Sequence, residues 1–265
     1  MILRAIPLSV LAGISALRGQ SFPEYVTGDE CLFCHRAVIG PLVANDRHLN
    51  SMAASGPGEL QLGRDGRSRR LRLTGYGAVA ILRPDGSWDE ESFAAKCSGC
   101  HATAVDPATG RFASPGLDCV VCHGLTDLNH SATRSGVALG RRRPPTARQI
   151  VSVCGSCHLR GARWKSGPGP YPVLYVAPSD LFDLIEFDFT PEAIMRSEDP
   201  HVVRTAAAVL AGGQTSCLDC HNVHRRDTSR HRRAAPSPVC SDCHPDGQPR
   251  RERLVRARRS AVCGY

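Results

Sequence analysis

Five residues, Cys-x-x-Cys-His, recur six times in this chain of 265 residues. The copies are Cys31-Leu-Phe-Cys34-His35, Cys97-Ser-Gly-Cys100-His101, Cys119-Val-Val-Cys122-His123, Cys154-Gly-Ser-Cys157-His158, Cys217-Leu-Asp-Cys220-His221 and Cys240-Ser-Asp-Cys243-His244. Two cysteines three residues apart on a helical turn share a face, so both can bond the vinyl groups of one haem. The histidine that follows then meets the iron from beneath the ring as its proximal ligand. The pattern is that of covalent c-type haem attachment.

Other thiol chemistries fit less well. Six Cys-x-x-Cys pairs could build three tetrathiolate zinc sites, but such sites need no histidine after every second cysteine. A thioredoxin-like dithiol would occur once, beside a βαβ pattern. Disulfide scaffolds are short chains without such regular pairing. Twelve of the 13 cysteines lie inside the motifs, and Cys263 alone is left over, with no role assigned to it. The sequence therefore reads as a chain that carries six haems.

Eleven histidines are present and six of them are proximal. His48, His130, His201, His224 and His231 remain as candidate distal ligands. Six irons with histidine on both faces would need one more than exists. At least one iron is thus expected to be open or to take another ligand, for which Met52, Met195, Lys96 and Lys165 are candidates. A bis-histidine iron is saturated and suits electron transfer, whereas an open one can bind a small molecule.

The elements that must hold these groups are short. A stretch of helical character follows the first motif and carries His48. Leu71-Arg-Leu73, Tyr76 to Leu82 and the Asp85-Gly86 turn predict a small β-hairpin within residues 58–90, a segment without cysteine or histidine. Thr146-Ala-Arg-Gln149 is a capping box, so the fourth motif is expected on a helix beginning near Ala147. Residues 161–189, rich in Gly, Pro and aromatics, read as an extended wrapping segment. Thr190-Pro191 starts one short helix and Asp199-Pro200 another, which runs through His201 to a stop at Gly212-Gly213.

Aromatic residues are only 5% of the chain, against 25 glycines and 19 prolines, so side chains alone would make a poor core. Stapled macrocycles can supply the missing apolar surface, and the chain is expected to be largely disordered without them. The formal charge of +8 suggests nucleic acid at first sight. Six haems would bring about twelve propionates, which offset much of the arginine excess, and no nucleic-acid partner is expected.

Residues 1–20 hold Arg4, an apolar run from Ala5 to Leu17 and a polar end, which resembles a secretory signal peptide. That run is too short to span a bilayer, for which about 20 apolar residues are needed. No transmembrane segment is expected after its cleavage, and a periplasmic location follows. The haem domain is expected over 21–247, with a basic tail at 248–265. Between first cysteines the spacing is about 66 then 22 residues in 21–140, and about 63 then 23 in 146–247, as two trihaem halves would give. Oligomeric state is not legible.

Three stretches carry a resemblance to a known group. They are Cys31-Leu-Phe-Cys34-His35 with His48 and Ser51, Gly116-Leu-Asp-Cys119-Val-Val-Cys122-His123-Gly124 with His130, and Cys217-Leu-Asp-Cys220-His221-Asn-Val-His224. The sequence resembles, over most of residues 24–247, the multihaem cytochromes c that include the tetrahaem carriers of ammonia oxidisers, the pentahaem nitrite reductases and the octahaem hydroxylamine oxidoreductases. The resemblance implies a mainly α fold with low regular secondary structure, wound around stacked haems, to which the β-hairpin would be an insertion. It also implies that His48, His130 and His224 are distal ligands, often to a haem other than that of the nearest motif. The lysine-ending catalytic motif of the nitrite reductases is absent, and no match to the cross-linking tyrosine of the hydroxylamine enzymes is found.

The expected function is electron transfer between periplasmic or membrane-bound redox proteins. The competing expectation is an oxidoreductase that works on a small nitrogen or sulfur compound at the open iron, and a gas-sensing module would use the same iron.

Overall fold

The computed structural model describes residues 28–43, 46–62, 69–75, 77–106, 108–126, 129–130, 137–140, 143–166, 172 and 175–224. The signal-like stretch, His231, the sixth motif (Cys240, Cys243, His244) and Cys263 lie outside the described residues.

The first motif sits on helix α1, Gly28–Val43. A five-stranded antiparallel sheet follows, made of β1 (Met52–Gly56), β2 (Glu59–Leu62), β3 (Arg69–Gly75), β4 (Ala78–Leu82) and β5 (Trp88–Asp89), paired in chain order. The segment expected to form one hairpin is therefore a full meander. Its pairing sets Leu60 opposite Leu71, and Leu71 opposite Ile81. With Met52, Val79 and Phe93 these residues form an apolar cluster on one face. The Pro84–Gly86 turn closes with the Arg83 carbonyl accepting from Gly86 N at 3.0 Å.

Asp89 joins the sheet to the second motif. One carboxylate oxygen caps helix α2 (Glu90–Lys96) by accepting from Ser92 N at 2.9 Å, and the other accepts from the Arg83 guanidinium at 2.6 Å. Helix α3 (Ser98–His101) carries the second motif and passes straight into a hairpin of β6 (Ala102–Val105) and β7 (Phe112–Pro115). The third motif is helix α4, Cys119–His123, capped at its start by the Asp118 carboxylate.

Helix α5, Ala147–His158, begins at the expected capping box, in which the Thr146 side chain and Gln149 satisfy each other's backbone N–H groups. Residues 161–189 form short pieces: β8 (Arg163–Trp164), helix α6 (Leu181–Leu184) and β9 (Ile185–Glu186), with β8 and β9 paired. Helices α7 (Pro191–Arg196) and α8 (Pro200–Leu210) start at Thr190 and Asp199 as expected, each with proline in its first turn. Helix α9 (Cys217–Cys220) carries the fifth motif. Val151, Leu159, Leu181, Ile185, Val203, Ala206 and Val209 make the second apolar cluster, beneath α5. The described residues thus combine helices with antiparallel sheets.

Candidate haem sites

Four of the five described motifs end their helix at the histidine or one residue before it. A Cys-x-x-Cys-His turn is long enough for one helical turn and no more, so the imidazole stands at the helix end. In α1 alone the helix continues past His35.

Three proximal histidines face three of the expected distal ones. His35 and His130 have ring centroids 6.0 Å apart, with planes at 13°. His123 and His224 are 6.0 Å apart with planes at 3°. His48 and His158 are 6.3 Å apart with planes at 81°. A metal-bound imidazole nitrogen lies about 2 Å from the metal, so rings on opposite sides of one iron have centroids about 6 Å apart. Ring planes rotate freely about that axis, and both parallel and crossed pairs fit it. The residues therefore suit a haem iron between each pair. None of the three distal histidines belongs to the motif that its partner follows, and two of the pairs join residues before 140 to residues after 146.

The loop of His48 is built to aim it. Asp46 is buried, and its carboxylate accepts from His48 N at 2.7 Å and Leu49 N at 3.2 Å, with His48 Nδ1 3.7 Å away. A carboxylate behind a ligand histidine orients the ring and raises its basicity. The His48 carbonyl accepts from Leu117 N at 3.0 Å, which docks the loop against the third motif. Gly116 makes this approach possible: its φ is +83°, and a Cβ there would lie 2.1 Å from the Leu49 carbonyl oxygen. Buried Thr103 completes the junction, donating to the Gly116 carbonyl at 2.7 Å and accepting from Asp118 N at 2.8 Å. Asp46 and Thr103 were not singled out by the sequence reading. Asn45-Asp46 before His48 is an Asx-turn signal that could have pointed to the first.

Motif thiols also meet across motifs. Cys31 neighbours Cys119, Cys100 neighbours Cys157, and Cys154 neighbours Cys217. Burial pushes the Cys119 and Cys122 thiols up to about 12, with the Asp118 carboxylate adding to the rise at Cys119. Cys97 is buried and disulfide-bonded, whereas thioether formation starts from the free thiol. Cys34 and Cys220 are free thiols. Burial, and then the neighbouring His224, lowers His123; burial, and then His48, lowers His158. Both are held in the neutral form, which is the form that binds metal.

His101 differs from these. Burial pushes it down to about 4, with the Arg160 charge next in weight, and its buried Nδ1 has no hydrogen-bond partner. His201 lies in the first turn of α8, and His221 caps the end of α9. Of the alternative ligands, Met52 is buried in the sheet cluster, and Met195 is exposed with its sulfur 3.2 Å from an Arg204 nitrogen. Lys165 Nζ donates to the Phe182 and Asp183 carbonyls. Lys96 sits in the last turn of α2.

Residues 208–249, which hold the fifth and sixth motifs, match the family model described as a doubled CXXCH motif. This is the signature of a multihaem c-type cytochrome. The motifs indicate covalent c-type haem binding, and electron transfer is the function that goes with such haems. No significant match to a curated protein or to a solved structure accompanies that of the family model. Among the described residues, no cluster of three or more His, Cys, Asp or Glu side chains is placed to hold a metal ion, and no helix is long and apolar enough to cross a membrane.

Proposed function

We propose that the protein is a periplasmic hexahaem cytochrome c that passes electrons between redox proteins, soluble or membrane-bound, along covalently held haems. The supporting observation is the set of three opposed histidine pairs at 6.0–6.3 Å, which suits saturated, low-spin irons. Haem supplies the one-electron chemistry; the polypeptide fixes spacing, orientation and access. The thiol neighbours would set haem order: motif one beside three, two beside four, four beside five. Motif four is then a junction. The chain would wind around these groups, with the sheet as an insertion carrying none.

Intact mass and spin-quantified EPR of the exported protein test this together. The expected result is the processed chain plus six haems, with most of the iron low-spin. A mass equal to the bare processed chain would overturn the proposal. One observation favours a second reading, an oxidoreductase for a small nitrogen or sulfur compound: eleven histidines cannot saturate six irons.

A further inference from the structure

A buried charge stands behind His48. Asp46 is only 3% exposed, and its Oδ1 lies 3.7 Å from His48 Nδ1. That is too long for a hydrogen bond but short for an electrostatic interaction away from water. Protein N–H groups solvate the carboxylate in place of water: His48 N donates to it at 2.7 Å and Leu49 N at 3.2 Å. Its backbone is pinned as well, since the Asp46 carbonyl accepts from Asn50 N at 3.1 Å and from Asn50 Nδ2 at 2.7 Å. Among the described residues no arginine or lysine pairs with Asp46, and the adjacent Arg47 is exposed. The negative charge is thus fixed on one side of the imidazole. With Nδ1 on the Asp46 side, Nε2 at the far edge of the ring is left for a metal.

Resting on the reading that His48 and His158 share an iron, we infer that Asp46 sets the reduction potential of that iron, holding it below the value the two histidines alone would give. Ferric iron carries one more positive charge than ferrous, so a fixed anion beside its ligand favours the ferric state. A carboxylate that draws on the Nδ1 proton also makes the ring a stronger donor. Both effects act in the same direction. Asp46 is a positioning residue, because it touches the ligand and not the iron. At a junction between haems, a lowered potential keeps electrons from resting there and passes them on.

The test is a redox titration of the holoprotein followed by EPR. The iron concerned is the one whose low-spin ferric signal His48→Ala abolishes. In Asp46→Asn the amide oxygen can still accept from the two N–H groups, while the charge is gone. The signal should keep its shape, and its midpoint should rise by a tenfold shift of the ferric–ferrous equilibrium, about 59 mV for one electron. The midpoints of the other low-spin signals should move less. A rise smaller than about twofold, or a fall, would overturn the inference.

Asp46→Ser offers the same N–H groups a hydroxyl acceptor in a smaller side chain, and should raise the midpoint in the same way. Loss of the signal in both variants would leave Asp46 a structural role only, and would overturn the inference too. If His48→Ala abolishes no low-spin signal, the pairing with His158 fails and the inference falls with it. An intact mass without haem would mark the failure of the wider reading instead.

Discussion

The imidazoles of His123 and His224 lie 6.0 Å apart, centroid to centroid, and their planes are within 3° of parallel. Those residues are joined by no shared element: one ends α4, the other follows α9. Replacing His224 by alanine should leave the His123 iron without its distal ligand. EPR of His224→Ala should then gain one high-spin ferric signal relative to wild type. An unchanged spectrum would mean that the two rings do not share an iron.

The crossing angles carry a second prediction. Parallel ligand planes split the two iron d orbitals of π symmetry strongly, whereas crossed planes act on both alike and leave them nearly degenerate. Two of the pairs are near parallel and the His48–His158 pair is at 81°. The low-spin EPR spectrum should therefore contain two rhombic signals and one highly anisotropic signal from these sites. The anisotropic one should disappear in His48→Ala.

Gly116→Ala should cost about 1–3 kcal/mol, because alanine there is strained by φ and collides with the Leu49 carbonyl. Its effect should reach past stability, since the same contact seats the His48 loop. Chemical denaturation measures the first part, and weakening of the crossed-plane EPR signal the second.

Asp180 caps α6 by accepting from Phe182 N at 3.0 Å and also pairs with Arg148 of α5. Asp180→Ala removes a cap and leaves a partly buried guanidinium without its nearer carboxylate. A loss of about 1–3 kcal/mol is expected in denaturant unfolding. Thr146→Ala, which breaks only the capping box, should lose about 1 kcal/mol.

Helix α1 exposes Phe33 almost fully, at 90%, and none of its described side chains is buried. A haem on Cys31, Cys34 and His35 would cover it. Hydrogen exchange should find α1 protected in the holoprotein and unprotected in a variant with all motif cysteines replaced by alanine. Equal protection would show that α1 stands without haem.

Local chemistry was legible in the sequence and long-range pairing was not. The motifs announce themselves because thioether attachment needs its cysteines and histidine within one turn. Helices α5, α7 and α8 are marked by Thr146, Thr190-Pro191 and Asp199-Pro200, since caps act over a few residues. The sheet exceeds the expected hairpin because Met52–Gly56 shows no alternation and Glu59–Leu62 alternates over only four residues; β2 is a strand through its pairing with β3, and β1 through its pairing with β2. Counting histidines shows that, with six haems bound, at least one iron would lack a distal histidine, but not that His48 faces His158 across more than a hundred residues.

The interleaved pairs have a consequence for how the protein is completed. A ribosome delivers the chain from its N-terminus, so His35 and His123 emerge long before His130 and His224 respectively. On this arrangement a nonsense mutation just ahead of residue 224 would spare the third motif and still cripple its iron. Damage at one end of the gene would thus be read out in the middle of the protein.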